Sequence, residues 1–137
     1  MPTARYIWFA VGTLIVVILW TLSLIPHPPA IGFRHEDKLY HVVAYGGTMW
    51  WWGQCWRKFR SRLMLAIFFT LMGVAIEFIQ GWTGWRTFNP HDMLANGVGV
   101  LVGWALLYTP LGSFYQLGST KKIKTTALAG VIRRKWL

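Results

Sequence analysis

The chain has 137 residues, room for one domain of ordinary size. Hydrophobic residues make up 55% and charged residues 13%, with ten Trp, 14 Lys+Arg and four acids: Glu36, Asp37, Glu77 and Asp92. So little polar surface excludes a disordered chain and most soluble enzymes and points to a membrane protein, while the lone Cys55 excludes an internal disulfide and a cysteine zinc cluster.

Four apolar stretches follow in chain order. Residues 7–25 carry no charge and end at Pro26, with Pro28 and Pro29 beyond, so a helix should stop there. The run is long for a signal peptide and is preceded by Arg5 alone, so it reads as a retained span. The second stretch, 39–56, has His41 near its start and Trp50, Trp51, Trp52 and Trp56 near its end. The third, 63–79, carries Glu77 near its end, and the fourth, 93–108, is rich in glycine (Gly97, Gly99, Gly103), with Pro110 just beyond. The last three are short for spans, yet they lack the polar face that helices of a soluble hairpin would need. The expectation is an all-α, four-helix transmembrane bundle over 1–110 and a basic tail over 111–137.

The charges orient this bundle. Residues 57–62 hold four bases and no acid, the tail holds Lys121, Lys122, Lys124, Arg133, Arg134 and Lys135, and Arg5 precedes the first stretch. An even number of spans puts these eleven bases on one side, and the positive-inside rule makes that side cytoplasmic, with both termini. Arg34, Lys38 and Arg86 fall on the other side. The formal charge of +10 is thus a topology signal, and no nucleic-acid partner is expected. The stretch 119–137 reads either as an interfacial helix on anionic lipid or as a disordered tail. The Trp residues read as interface anchors, with an aromatic site for sugars or headgroups as the alternative for Trp82 and Trp85.

All four acids lie within 35–41 and 77–92, both at the extracytoplasmic end. Ionisable groups at the edge of a span usually face the bundle interior or a cavity. Asp37, His41 and Tyr45 are four apart and share a helix face, Glu77 and Gln80 are three apart, and Asp92 and Asn96 are four apart. Ala95, Gly99 and Gly103 form a row of small residues that lets another helix approach closely. Each signal also has a plain structural reading. Asp92 is placed to cap the fourth helix. Asp37 and Lys38 could be solvated at headgroup level, Glu77 could pair with Arg86, and His41 could be a packing histidine. His27 and His91 read as loop residues.

At these residues the sequence resembles the VanZ family of small bacterial membrane proteins. Asp37-Lys38, then His41 and Tyr45, match the first half of that family's pattern. Glu77 and Gln80, then Arg86, then Asp92 and Asn96 opening a helix with Gly97 and Gly99, match the second. The resemblance covers about three quarters of the chain and excludes the basic tail and the Trp cluster. It implies a protein of the bacterial cell envelope with a link to low-level teicoplanin resistance, and no established biochemical activity.

Three functional classes fit these residues. A binding or structural protein would use the polar cluster to hold an envelope lipid, a cell-wall precursor or a glycopeptide, or to lock the helix ends. A membrane-embedded enzyme would act on a phospholipid or polyprenyl-linked substrate. Its catalytic candidates are Asp37, His41, Glu77 and Asp92, with His41 as general acid/base oriented by Asp37. Lys38, Tyr45, Gln80, Arg86 and Asn96 are the substrate-binding candidates, with Lys38 and Arg86 suited to an anionic group. Glu77 and Asp92 suit a second acid/base pair or a divalent cation, but no metal or cofactor is assigned. A transporter is the weakest reading, because one four-helix unit leaves little room for a pathway unless it forms a homo-oligomer. The expected location is the bacterial inner membrane, multi-pass, with lipids as partners.

Overall fold

A computed structural model describes residues 2–26, 32, 36–84 and 86–113. They form four α-helices, α1 (Pro2–Leu24), α2 (Glu36–Gly53), α3 (Phe59–Thr83) and α4 (Pro90–Leu106), and a closing 3-10 turn, Pro110–Ser113. No strand occurs among the described residues. The all-α, four-helix expectation holds. His27, Arg34, Trp85 and the tail from 114 on lie outside the described residues.

The helix ends differ from the sequence reading for local reasons. α4 starts at Pro90, three residues earlier than its apolar run, because proline at the first helical position is pre-set in φ and its missing N–H has no helical partner to lose. Asn89 is the N-cap, its side chain accepting the His91 N–H at 3.1 Å. Asp92 is therefore not the cap, and His91 lies in the first turn of α4 rather than in a loop. α2 likewise starts at Glu36 rather than at residue 39, with its two acids in the favourable first turn. α3 begins inside the basic segment, so Arg60 and Arg62 are helical, and it ends at Gly84, whose φ of 78° favours glycine.

At 1.5 Å per residue, α1 and α3 are about 35 and 38 Å long, and α2 and α4 about 27 and 26 Å. A hydrocarbon core is about 30 Å thick. Two stretches, Arg5–Leu24 and Phe59–Thr83, are long and apolar enough to cross it. Leu14, Val17, Ile67, Leu71, Leu94 and Leu101 are each more than 50% exposed, an outer surface suited to lipid rather than water. Inside, Tyr45, Met49, Phe69, Ile76 and Val100 form the core.

Contacts between helix ends define the topology. The end of α3 meets the end of α1 where Gln80 donates to the Ser23 carbonyl, at 2.6 Å. The starts of α2 and α4 meet where His41 bonds Asn96. At the opposite end the start of α1 meets the end of α2, with Trp8 stacked on Trp51 at 3.9 Å. The helices thus run up, down, up, down, and the start of α1 and the end of α4 share one end of the bundle.

The closest pair is α2 with α4. A Cβ on Gly99 would stand 2.6 Å from the Val42 carbonyl oxygen, and one on Gly103 would overlap the Gly46 carbonyl. The small-residue row was expected to admit a helix, and α2 is the helix it admits.

The Trp cluster does more than sit at an interface. Trp51 and Trp52 donate their indole N–H groups to the Trp8 and Gly12 carbonyls of α1, at 3.1 and 3.2 Å. Trp50 donates to the Leu111 carbonyl beyond α4 at 3.1 Å. The rings clamp α1 and the end of α4 onto α2.

Candidate functional site

Two helix starts and one helix end build the polar end of the bundle. Asp37, Lys38, His41 and Tyr45 come from α2, Glu77 from the last turns of α3, and Asp92 and Asn96 from α4. The Gly46–Gly99 approach presses α4 onto α2 and brings residues from these two helices within bonding distance.

Asp92 is the hub. Its side chain is 9% exposed. Oδ1 accepts from Lys38 Nζ at 3.3 Å and from Asn89 Nδ2 at 3.0 Å, and Oδ2 lies 3.8 Å from His41 Nε2. His41 Nδ1 bonds Asn96 Oδ1 at 2.8 Å. The amide oxygen can only accept, so Nδ1 carries a proton, and in the neutral ring Nε2 then offers a lone pair. His41 is therefore oriented by Asn96 and Asp92 from α4. Asp37, the orienting group expected from the spacing, bonds Lys38 instead, at 2.9 Å.

Glu77 is fully buried. Its Oε2 accepts the Asn89 backbone N–H at 3.4 Å, and its Oε1 has no hydrogen-bond donor among the described residues. Among the described residues the ion pairs are Lys38–Asp37 and Lys38–Asp92, so the expected Glu77–Arg86 bridge does not form. Tyr45 is also buried, and its hydroxyl has no hydrogen-bond partner among the described residues. Gly73 on α3 leaves the space that the Asn96 amide fills, since a Cβ there would lie 2.9 Å from Asn96 Nδ2.

Lys38 joins two carboxylates at the mouth of the cluster, ahead of the predicted span. Its ammonium holds the Asp37 carboxyl below the usual carboxylate range. Asp37, and then Asp92, push the Lys38 ammonium up. A depressed acid stabilises the fold above its unfolded pKa and loses that contribution as pH falls through the folded value. A raised lysine contributes below its unfolded pKa and loses it as pH rises through the folded value. Both contributions are complete near neutral pH.

Beside the cluster lies a cavity of about 370 Å³. Leu19, Leu22, Val43 and Ala44 give it an apolar wall, and Asp37, His41, Tyr45 and Arg86 line its polar part. Arg86 thus stands where a ligand could meet it. Of the nine residues expected at the site, the structure gathers Lys38, His41, Asp92 and Asn96 into one bonded group, with Asp37 and Glu77 attached at its edges. Gln80 instead ties α3 to α1. Asn89, outside these nine, links Glu77 to Asp92 and caps α4 at once. The Asn-Pro pair ahead of an apolar run was the signal for it.

The sequence profile of the VanZ/LLP1 family matches residues 14–112. The chain belongs to this family. No curated protein and no solved structure matched it. The matched region of this VanZ/LLP1 chain takes in the polar cluster and the cavity, and it leaves the basic tail outside. Family membership and the two long apolar helices together point to a membrane protein.

Proposed function

We propose that this VanZ/LLP1 protein crosses the bacterial inner membrane four times and binds an envelope lipid with an anionic headgroup at its outer end. The observation that carries the reading is the cavity, apolar along Leu19, Leu22, Val43 and Ala44 and ionisable at Glu36, Asp37, His41 and Arg86. Its size falls in the range of small-molecule sites, about 300–1,000 Å³. An acyl or prenyl chain would lie along the apolar wall, and the headgroup phosphate would meet the Arg86 guanidinium. A cell-wall precursor carried on a polyprenyl chain has this chemistry, and the family's link to teicoplanin resistance fits such a ligand.

The orientation follows from charge. The end opposite the cluster carries Arg5 and the 57–62 segment, and the positive-inside rule places it in the cytoplasm. Reporter fusions test this: an alkaline phosphatase fused within residues 57–62 should be inactive, and an active one would reverse the topology. Native mass spectrometry of the gently extracted full chain tests the ligand, with a retained anionic lipid as the expected result.

A second reading, an enzyme acting on the same lipid class, is favoured by one feature. The lone pair on His41 Nε2, fixed by the Asn96 bond, is what a general base requires. Conversion of the retained lipid on incubation would select that reading over simple binding.

A further inference from the structure

We propose that His41, Glu77 and Asp92 bind a divalent transition-metal cation of the class represented by Zn²⁺. One potential ligand atom from each residue lies within 4.8 Å of the other two. Two ligands about 2.1 Å from a tetrahedral ion stand about 3.4 Å apart. The His41 Nε2–Asp92 Oδ2 distance of 3.8 Å is close to this.

The hydrogen-bond pattern gives the second line of support. His41 Nδ1 is taken by Asn96 Oδ1, which leaves Nε2 as a lone-pair donor turned toward a carboxylate oxygen. Metal-bound histidines show this arrangement, with the remote ring nitrogen held by an oxygen acceptor. Asp92 spends Oδ1 on Lys38 and Asn89 and keeps Oδ2 on the His41 side. Glu77 is fully buried, and its Oε1 meets no donor among the described residues. Three electron-pair donors that converge without a shared hydrogen suit a cation between them, because a buried carboxylate needs a compensating charge.

The ligand set selects the cation. One imidazole with two carboxylates suits zinc and its transition-metal neighbours, whereas Ca²⁺ and Mg²⁺ favour oxygen ligands alone. Three protein ligands leave a fourth position open, the pattern of catalytic rather than structural zinc sites. His41 also lines the cavity, so the ligand set borders it. Metal binding itself does not depend on the lipid reading, and the two can fail separately.

The test uses the untagged full chain in mild detergent, stripped with a chelator and titrated with Zn²⁺ alone by calorimetry, with metal content measured after gel filtration. One Zn²⁺ per chain is expected. His41→Ala, Glu77→Gln and Asp92→Asn should each weaken binding at least as much as loss of an outer-sphere partner does, roughly tenfold or more. His91→Ala, which removes an exposed imidazole outside the triad, should leave binding unchanged. Co²⁺ added to the wild type should give the visible bands of a four- or five-coordinate site, bleached by Zn²⁺, so the test stands even where a variant fails to fold. Absence of Zn²⁺ from the wild type, equal binding by the triad variants, or binding of Mg²⁺ or Ca²⁺ in place of Zn²⁺ would overturn the proposal.

Discussion

Gly103→Val should be among the most damaging single changes in the chain. Its Cβ would overlap the Gly46 carbonyl of α2, and neither atom belongs to a side chain that can rotate away. α2 and α4 would have to separate. Overpacking a core costs typically 1–3 kcal/mol, and a clash with fixed backbone places this variant near the upper figure, about 3 kcal/mol. The separation would also stretch the 2.8 Å His41–Asn96 bond that fixes the imidazole. Thermal unfolding in detergent, followed by intrinsic Trp fluorescence, should show a much lower midpoint. Gly97→Ala is the matched control: a Cβ there meets nothing within 4 Å, and the better helix former should hold or raise stability. Equal midpoints for the two variants would refute the close α2–α4 approach.

Arg62→Ala should cost nearly as much, at the other end of the bundle. Arg62 is buried, and its Nε donates to the Gly53 and Trp56 carbonyls at 3.3 and 2.8 Å. Gly53 ends α2 and Trp56 lies in the loop to α3, so the guanidinium both caps the C-terminus of α2 and ties down the turn that follows it. Its carbon also lies 5.2 Å from the centroid of the Tyr108 ring. A hydrogen bond to a charged group contributes about 1.5–3 kcal/mol, and the ring contact adds about 0.5–2 kcal/mol. A loss of about 3 kcal/mol is expected after partial relaxation. Arg62→Lys should recover only part of it, because an ammonium lacks the planar fork. The same unfolding assay reads both variants, and a midpoint for Arg62→Ala within a degree of wild type would rule out the capping role.

Arg62 also shows what the sequence hides. As one of four bases in 57–62 it reads as a topology signal, and that reading is silent on its burial against the carbonyls of Gly53 and Trp56. The four helices were legible because their apolar runs are long and proline or charge bounds them. Their ends were less legible, since a helix starts where backbone caps permit, at Pro90 and Glu36, rather than where hydrophobicity rises. The residues of the cluster were legible from spacing, but their partners were not. Asp37 and His41 share a helix face, yet His41 turns to Asn96 and Asp92, because glycines 46, 99 and 103 bring α4 closer than a one-turn neighbour can reach. Pairings across helices depend on packing distance, which no spacing within one helix reveals. The Trp indoles, expected at the membrane interface, find main-chain carbonyls of α1 for the same reason.

The polar end of the bundle is proposed to hold a lipid and not merely to lock helix ends together. Arg86 separates these alternatives, because it lines the cavity and, among the described residues, takes no part in the ion pairs that join the helices. The most direct measurement is native mass spectrometry of Arg86→Ala beside wild type, with unfolding midpoints taken on the same samples. The expected result is an unchanged midpoint with retained anionic lipid reduced about tenfold or more, the effect of losing a charge-assisted contact of about 1.5–3 kcal/mol. Equal lipid retention by the two proteins, or a loss that only follows a fall in the midpoint, would contradict it.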